Sequence, residues 1–225
     1  MSVVSHTLPA AVLWDMDGTL VDTEPYWMSA ESALVTSYGG TWSHEDGLQL
    51  VGSGLWHSAR ILQAKGVDLG EQEIIDLLTQ HVTDKLVDDG IPWRPGAREL
   101  LLGLRDAGIK TGLVTMSLSS MAHHVADRLG FVGFDVVVGG DDVTHSKPHP
   151  EPYLKAADLL GVNIADCCAL EDSEPGIASA SASGAVTVGV PFMIDIAESP
   201  EYTLWPTLAG RTVADISALF LSVTR

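Results

Sequence analysis

Short apolar runs rich in β-branched residues alternate with helical patterns along most of this 225-residue chain. Many of the runs end in Gly, Ser or Asp, and the patterns between them repeat apolar residues at the spacing of one helix face. Strands that alternate with helices form parallel sheets covered by helices, because each parallel connection has to cross the sheet. We therefore predict an α/β protein with a doubly wound parallel sheet. The predicted strands are residues 10–14, 109–115, 134–138, 167–170 and 185–190, and the predicted helices between them are residues 98–107, 119–129, 153–160 and 176–183.

The segment between the first strand and the rest of the sheet departs from this pattern. Residues 22–90 contain amphipathic helical patterns and no strand-like run between them. Pro92, Pro95 and Gly96 then mark the return to the sheet and the start of the next helix. We predict a Rossmann-like α/β core formed by residues 1–21 and 91–225, with residues 22–90 inserted as an α-helical cap domain. The predicted helices of the cap are residues 25–38, 54–64 and 71–87.

The charge of the chain narrows its possible partners. Twelve Lys and Arg residues stand against 30 Asp and Glu residues, which gives a formal net charge of −18. Such a surface repels nucleic acids and anionic membranes, so we expect neither as a partner. No apolar run reaches the roughly 18–20 residues that span a bilayer, and the first residues do not resemble a secretory signal. We expect a cytoplasmic protein, a monomer or small homo-oligomer, in which the adjacent Cys167 and Cys168 are buried and reduced.

Polar clusters occur directly after or between the predicted strands. Taken singly, each cluster could be a helix cap or a surface loop. Because the carboxyl ends of parallel strands meet at one edge of the sheet, the clusters together predict one shared site. The clusters are Asp15-Met16-Asp17-Gly18-Thr19, Thr115-Met116-Ser117, Lys147 within Ser-Lys-Pro-His-Pro-Glu-Pro, and Glu171-Asp172-Ser173.

In this order, the clusters resemble the four signature motifs of haloacid dehalogenase-type phosphatases. The matching stretches are Trp-Asp-Met-Asp-Gly-Thr-Leu-Val-Asp-Thr, Val-Thr-Met-Ser, Lys-Pro-His-Pro-Glu-Pro-Tyr and Leu-Glu-Asp-Ser-Glu-Pro-Gly-Ile. The helical insertion resembles the α-helical cap of the β-phosphoglucomutase-like branch. The resemblance implies a magnesium-dependent phosphatase whose substrate is a small phosphorylated metabolite, such as a sugar or polyol phosphate.

The resemblance also implies catalytic roles for matching residues. Asp15 would attack phosphorus and form an aspartyl-phosphate, and Asp17 would act as general acid and then as general base. Lys147 would neutralise Asp15 and a phosphoryl oxygen. Thr115, with the backbone amides near Met116, would hold the phosphate. Many relatives carry Asn at the position of Met116, so side-chain contacts to the phosphate are not expected there.

A magnesium site is implied by the same resemblance. Its ligands would be Asp15, the backbone carbonyl of Asp17, and Asp172, since hard oxygen ligands suit Mg²⁺. Glu171 would act on the metal through a water molecule, or as a base that orients one of the ligands.

Other reactions of the family fit the residues less well. Dehalogenases work without a metal and lack the second carboxylate that Asp17 provides. Cleavage of a phosphonate needs a cap lysine poised for a Schiff base, for which Lys65 and Lys85 are the candidates. A non-catalytic metabolite-binding module would not need the nucleophile Asp15.

A sugar phosphomutase is the strongest alternative. Mutases of this type carry a histidine at the entry to the cap, and Trp27 stands at that position here. The later cap loop, residues 51–55, has no arginine to bind a second phosphate. Hydrolysis is therefore favoured over phosphoryl transfer to a sugar. Trp27 and Trp56 are candidates for the wall of a substrate pocket.

Overall fold

The computed structural model describes residues 8–223, whose strands form one six-stranded sheet. The strands lie in the order β3-β2-β1-β4-β5-β6, and every neighbouring pair is parallel. This arrangement confirms the predicted α/β class and its Rossmann-like parallel sheet. The predicted limits of the core at residues 1 and 225 lie outside the described residues. The strands are β1 (Ala11–Trp14), β2 (Lys110–Val114), β3 (Val136–Val138), β4 (Cys167–Glu171), β5 (Val186–Gly189) and β6 (Thr203–Leu204).

The central strand β1 is buried on both faces, which explains its uninterrupted apolar sequence. Val12 and Trp14 pack into the core on one face of the sheet, and Ala11 and Leu13 pack into the core on the other. β1 pairs with β2 on one side and with β4 on the other, where Trp14 lies opposite Leu170. This register places the residues that follow β1 beside those that end β4.

Helices cover the sheet and fill the insertion after β1. Among residues 8–223, helices α1 to α4 come between β1 and α5, and no strand interrupts them. None of the described helices combines the length and the low polarity needed to cross a membrane. The helices are α1 (Glu24–Ser37), α2 (His44–Leu48), α3 (Leu55–Ala64), α4 (Glu71–Asp89), α5 (Ala97–Asp106), α6 (Ser119–Asp127), α7 (Glu151–Leu160), α8 (Glu174–Ser183) and α9 (Val213–Val223).

Helix α4 is the main packing partner of α1 and α3 in the insertion, and α2 packs on α1. Helices α1 and α3 both contact α4, and α4 also contacts α6 of the sheet layer. Ile74, Ile75, Leu78, Val82 and Leu86 recur along α4 at helical spacing and are all buried. The side chains of the insertion therefore join the same hydrophobic cluster as one face of the sheet. The division into a cap of residues 22–90 and a core stays a prediction.

Some helix boundaries differ from the sequence-based ones for a clear reason. Helices α7 and α8 begin two residues earlier than predicted, because Pro152 and Pro175 lie in their first turns. Proline has no amide hydrogen, and the first turn of a helix has no acceptor for one, so proline is tolerated there. The short elements α2 and β6 and the final helix α9 were not predicted.

Cys167 and Cys168 are free thiols buried in β4. Their side chains point to opposite faces of the sheet, since each belongs to a different core cluster. Burial raises the pKa of each thiol to about 12. Both cysteines are therefore packing residues, as expected from their apolar context.

Candidate active site

The carboxyl ends of β1 and β4 bring the acidic residues of the first and fourth motifs together. Asp15 directly follows β1, and its backbone N–H donates to the carbonyl of Leu170 in β4 at 3.0 Å. Glu171 ends β4 and Asp172 follows it. One ligand oxygen from each of Asp15, Glu171 and Asp172 lies within 4.8 Å of the others, and all three residues are buried.

Lys147 supplies the positive charge at this cluster. Its Nζ lies 2.7 Å from Oδ1 of Asp15 and 2.6 Å from Oε1 of Glu171, and it donates to the carbonyl of Val114 at 2.9 Å. Burial alone would lower the pKa of the Lys147 ammonium, but the charges of Asp15 and Glu171 outweigh burial and raise that pKa. Lys147 is therefore held as a cation between two carboxylates.

One cation does not balance the three buried carboxyl groups. Burial and the charge of Glu171 raise the pKa of Asp15 to about 7, although Lys147 opposes this rise. Burial and the charge of Asp15 raise the pKa of Asp172 well above its ordinary value. Oδ2 of Asp15 and Oδ2 of Asp172 are buried and have no hydrogen-bond partner among the described residues. Two unpartnered carboxylate oxygens in an oxygen-rich, over-acidic cluster fit a hard divalent cation such as Mg²⁺.

Gly18 makes room for this arrangement. It has a φ of +84°, and a Cβ atom at this position would lie 2.0 Å from Oδ2 of Asp172. Any larger residue would displace the carboxylate. Thr19 fixes the other oxygen of Asp172 by donating to Oδ1 at 3.2 Å. The first motif therefore shapes the position of a carboxylate that belongs to the fourth.

Asp17 accepts hydrogen bonds from four side chains. Thr23 and Trp27 donate to its Oδ1 at 2.6 and 3.0 Å. Thr115 and Ser117 donate to its Oδ2 at 3.1 and 2.7 Å. The carboxylate of Asp17 is thus oriented from two directions, by the residues that open the insertion and by the loop after β2.

The loop after β2 lies against both Asp17 and Lys147. Thr115 is buried, and its Oγ1 accepts from the backbone N–H of Ser117 at 3.0 Å. Met116 is also buried, and its Sδ accepts from the backbone N–H of Lys147 at 3.3 Å. The side chain of Met116 therefore packs against the lysine loop.

Tyr153 in α7 completes the surroundings of Glu171. Its hydroxyl donates to Oε1 of Glu171 at 2.5 Å, and Ser173 Oγ lies 3.5 Å from Oε2. Oε1 of Glu171 therefore has two close partners, the hydroxyl of Tyr153 and the ammonium of Lys147. Gly176 lies so close that a Cβ there would be 2.0 Å from Oε2 of Glu171.

Helices of the insertion form the opposite wall of a cleft whose floor contains Asp15, Asp17, Thr115 and Lys147. Trp27 lies in this wall, but Trp56 is packed against the hydrophobic core and is not among the residues of the cleft. A direct contact between Trp56 and substrate stays a prediction without support from this geometry. The wall also includes Glu24, Met28, Glu31, Leu50, Gly52, Ser53, Leu55, Ser58 and Leu78.

Two acidic residues of this wall were missed by sequence reasoning. Glu24 and Glu31 are both buried, at 6% and 5% exposure. Burial and the charge of Asp17 raise the pKa of Glu24 to about 8, and burial raises that of Glu31 to about 8. Their separation of seven residues puts them on one face of α1, which is the signal that could have found them.

Ser117 and Tyr153 were also missed as site residues. Ser117 was visible within the second polar cluster, but its bond to Asp17 depends on how the loop after β2 folds. Tyr153 stands in an ordinary helical pattern, and only the packing of α7 against the sheet shows its bond to Glu171.

Known proteins share this sequence pattern and fold. The sequence profile of the haloacid dehalogenase-like hydrolases matches residues 9–184. Hexitol phosphatase B of Escherichia coli is 30% identical over 189 residues, which are 80% of this chain and 83% of that protein. Fructose-1-phosphate phosphatase YqaB of Escherichia coli is 31% identical over 192 residues, which are 80% of this chain and 96% of that protein.

A crystal structure of β-phosphoglucomutase from Clostridium difficile superposes with a TM-score of 0.82 at 23% identity, covering 97% of this chain and 100% of that one. At this identity, the likeness concerns the fold. Together with the profile match over most of the chain, it confirms the resemblance seen in the four motifs. This chain belongs to the haloacid dehalogenase-like hydrolases and has the fold of their β-phosphoglucomutase-like branch.

Proposed function

We propose that this protein is a magnesium-dependent phosphatase that hydrolyses a small sugar or polyol phosphate through an aspartyl-phosphate on Asp15. The observation that carries this proposal is the environment of Asp15 at the floor of the cleft. Lys147 holds one of its oxygens at 2.7 Å, and the other oxygen has no partner among the described residues. A carboxylate held in one orientation by a cation, beside an open cleft, is suited to nucleophilic attack.

In the first step, a carboxylate oxygen of Asp15 forms a bond to phosphorus while the bond from phosphorus to the ester oxygen breaks. Asp17, two residues further on, transfers a proton to the departing alkoxide, so the substrate leaves as a neutral alcohol. The Lys147 ammonium offsets negative charge on Asp15 and on the phosphoryl oxygens.

In the second step, a water molecule attacks phosphorus and Asp17 accepts its proton. The bond from phosphorus to Asp15 breaks, and the products are inorganic phosphate and the original carboxylate. Thr115 and Ser117 hold Asp17 in place for both proton transfers through their bonds to its Oδ2.

The cluster of carboxylates would repel a phosphate group without a further cation. Each phosphate–carboxylate pair about 5 Å apart costs roughly 3 kcal/mol at an effective dielectric near 20. Mg²⁺ held by Asp15, the Asp17 backbone carbonyl and Asp172 would supply the positive charge that offsets this repulsion. Glu171 acts beside these ligands mainly by holding Lys147, to which it pairs at 2.6 Å.

The substrate class rests on the relatives and on the cleft. Hexitol phosphatase B and fructose-1-phosphate phosphatase YqaB both have names that describe small phosphorylated polyols or sugars. The cleft combines apolar side chains, such as Leu50 and Leu55, with a few polar groups. This mixture suits a carbon chain that carries hydroxyl groups.

Hydrolysis is favoured over phosphomutase chemistry by the role of Trp27. Its indole N–H donates to Asp17, at the position where mutases of this branch carry a histidine. A binding module without catalysis is disfavoured, because the nucleophile and Lys147 are in direct contact at 2.7 Å.

We further propose that the enzyme works in the cytoplasm, as a monomer or small homo-oligomer, on a small-molecule partner. The net charge of −18 disfavours nucleic acids and anionic membranes as partners. The two buried, unpaired cysteines suit a reducing compartment.

The test is phosphate release from a panel of sugar, polyol and aryl phosphates in the presence of Mg²⁺. We expect turnover by the wild type and none by Asp15→Asn, which is nearly isosteric and lacks the nucleophile. Circular dichroism would show that the variant is folded. A variant that retained a tenth or more of the wild-type rate would favour direct attack by water and contradict the covalent mechanism.

A further inference from the structure

Glu31 is a buried carboxyl group whose burial the described side chains offset only in part: the Trp42 indole favours its ionised form, but Nε1 of Trp42 itself forms no hydrogen bond among the described residues. It lies in α1, is 5% exposed, and its Oε2 has no hydrogen-bond partner among residues 8–223. No salt bridge to it occurs in the same part of the chain, in contrast to Asp15 and Glu171, which both pair with Lys147. Buried polar groups are almost always hydrogen-bonded, because an unpaired one costs free energy on folding. Because Glu31 also lines the cleft, its unpartnered oxygen is available to a ligand that enters there.

The surroundings of Glu31 direct it toward the cleft. It lines the cleft that contains Asp15 and Lys147. A Cβ atom on Gly47 would lie 3.6 Å from Oε2 of Glu31 and 3.4 Å from the side chain of Met28, so the glycine leaves space beside the carboxyl group. Glu31 therefore belongs to the wall that the insertion contributes to the cleft, whereas Asp15 and Lys147 belong to the floor.

The chemistry of Glu31 suits a hydroxyl group. Burial raises its pKa to about 8, against the opposing effect of the Trp42 side chain, so the carboxyl group is mostly uncharged at neutral pH. A protonated carboxyl group both donates and accepts a hydrogen bond, as an alcohol does. Nearby Met28 and Leu78 provide apolar surface for the carbon atoms of such a ligand.

The charges of the cleft argue against a second phosphate in the substrate. Among the described residues that line it, Lys147 is the one basic side chain, and it is already paired with Asp15 and Glu171. A phosphate group near α1 would meet the carboxyl groups of Glu24 and Glu31 instead of a cation. Removing a phosphate dianion from water without a compensating charge is strongly unfavourable.

We propose that Glu31 determines the substrate specificity of this enzyme by hydrogen-bonding hydroxyl groups of an uncharged polyol or sugar tail, and that the same wall rejects bisphosphates. This inference rests on the proposed phosphatase function for its catalytic consequences, but the binding step does not require turnover. Glu31 is a substrate-binding residue in this scheme and takes no part in the bond changes at phosphorus.

The experiment compares Glu31→Leu and Glu31→Gln with the wild type on three probes. These are sorbitol 6-phosphate, p-nitrophenyl phosphate, which has no hydroxyl-bearing tail, and fructose 1,6-bisphosphate. Glu31→Leu should lower the ratio of kcat/KM for sorbitol 6-phosphate to that for p-nitrophenyl phosphate by roughly tenfold or more, chiefly through KM. Glu31→Gln should keep most of the wild-type ratio, because its amide also donates and accepts hydrogen bonds. The matched control is Glu45→Leu, an exposed residue of α2 outside the cleft, which should leave the ratio unchanged.

Binding measured by calorimetry makes the result independent of catalysis. In the Asp15→Asn background with Mg²⁺ present, adding Glu31→Leu should weaken the binding of sorbitol 6-phosphate by roughly tenfold. If the wild type released no phosphate from any probe while this binding difference remained, the proposed function would fall and the role of Glu31 would stand. If turnover occurred and Glu31→Leu changed neither the ratio nor the binding, the role of Glu31 would be overturned alone. A higher kcat/KM for fructose 1,6-bisphosphate than for sorbitol 6-phosphate would also overturn it.

Discussion

The indole Nε1 of Trp27 donates a 3.0 Å hydrogen bond to Oδ1 of Asp17, which links the first helix of the insertion to the proposed acid–base residue. Thr23 donates to the same oxygen at 2.6 Å. The family resemblance implies a histidine at this position in mutases. The indole of Trp27 orients Asp17 through its N–H, but unlike a histidine it neither releases nor accepts a proton near neutral pH. In a mutase, the residue at this position would protect the aspartyl-phosphate from water. Here Trp27 instead orients Asp17, which is the residue proposed to activate water.

We therefore predict that a hexose 1-phosphate, if accepted as substrate, is converted to free sugar and inorganic phosphate. Addition of a hexose bisphosphate activator should not produce the 6-phosphate isomer, because one water oriented by Asp17 outcompetes a second sugar hydroxyl. Following the ³¹P resonances of the mixture over time separates the products. Isomer that formed faster than inorganic phosphate would show mutase activity, and the fold and the nucleophile would be unaffected.

Metal removal is the second test. Asp15 and Asp172 each have a buried oxygen without a partner among the described residues. Burial raises the pKa of both carboxyl groups, and the charge of Glu171 adds to this rise at Asp15, as that of Asp15 does at Asp172. Excess chelator should abolish phosphate release, Mg²⁺ should restore it, and Mg²⁺ should raise the Tm of the wild type. Asp172→Asn should remove most of this rise in Tm, whereas the exposed Asp158→Asn should keep it. Full activity in excess chelator would contradict the metal site.

The third prediction concerns the buried cation. Lys147→Met keeps an unbranched side chain, one atom shorter, and removes the charge between Asp15 and Glu171. Breaking a buried ion pair from one side costs about 3–5 kcal/mol, so the free energy of unfolding should fall by an amount of that order, and phosphate release should be lost. Urea denaturation measures the first effect. Lys155→Met is the control, since Lys155 lies at the surface and donates to the backbone carbonyl of Asp142. A Lys147→Met protein as stable as the control would contradict the buried pair.

The pH dependence of stability tests the protonation of Glu31 without any substrate. Burial raises its pKa from 4.5 to about 8 in the folded protein, so the folded state binds the Glu31 proton more tightly than the unfolded state does. The contribution of Glu31 to stability is fully present below about pH 4.5 and is lost as the pH rises through about 8.

Glu31→Gln cannot titrate at this position and removes that contribution. The difference in the free energy of unfolding between the variant and the wild type should therefore grow in favour of the variant as pH increases over this range, by a few kcal/mol at most. Urea denaturation at several pH values measures this difference. The contributions of the other buried carboxyl groups cancel, because both proteins contain them. Parallel curves for the two proteins would show that Glu31 titrates as an exposed residue does.

The sheet and the polar clusters could be predicted because they depend on local sequence. Asp15 and Asp172 directly follow apolar strands, and the carboxyl ends of parallel strands meet at one edge whatever the details of packing. Tyr153 and Glu31 could not be assigned in this way. Each stands in an ordinary helical pattern, and its function depends on which helix packs against which part of the sheet. Trp56 illustrates the same limit, since a tryptophan of the insertion can line the cleft or pack in its core, and its sequence context does not distinguish these outcomes.

The short elements were missed for a related reason. Helix α2 has five residues and depends on a capping box in which Ser43 and Asp46 bond each other's backbone N–H groups. Strand β6 has two residues, which is too short to show a period. Helix α2 depends on this local cap and β6 on pairing with β5, so the apolar pattern that predicted the longer strands and helices carried no signal for either element.

The most direct test of the covalent mechanism is mass spectrometry of the wild type quenched in acid during turnover. We predict that one phosphoryl group is attached to the peptide that contains Asp15 and that it appears before inorganic phosphate is released. The Asp15→Asn protein should show no such adduct and no turnover. Steady phosphate release by the wild type with no phosphorylated peptide at any quench time, together with activity in Asp15→Asn, would contradict the assignment of Asp15 as the nucleophile.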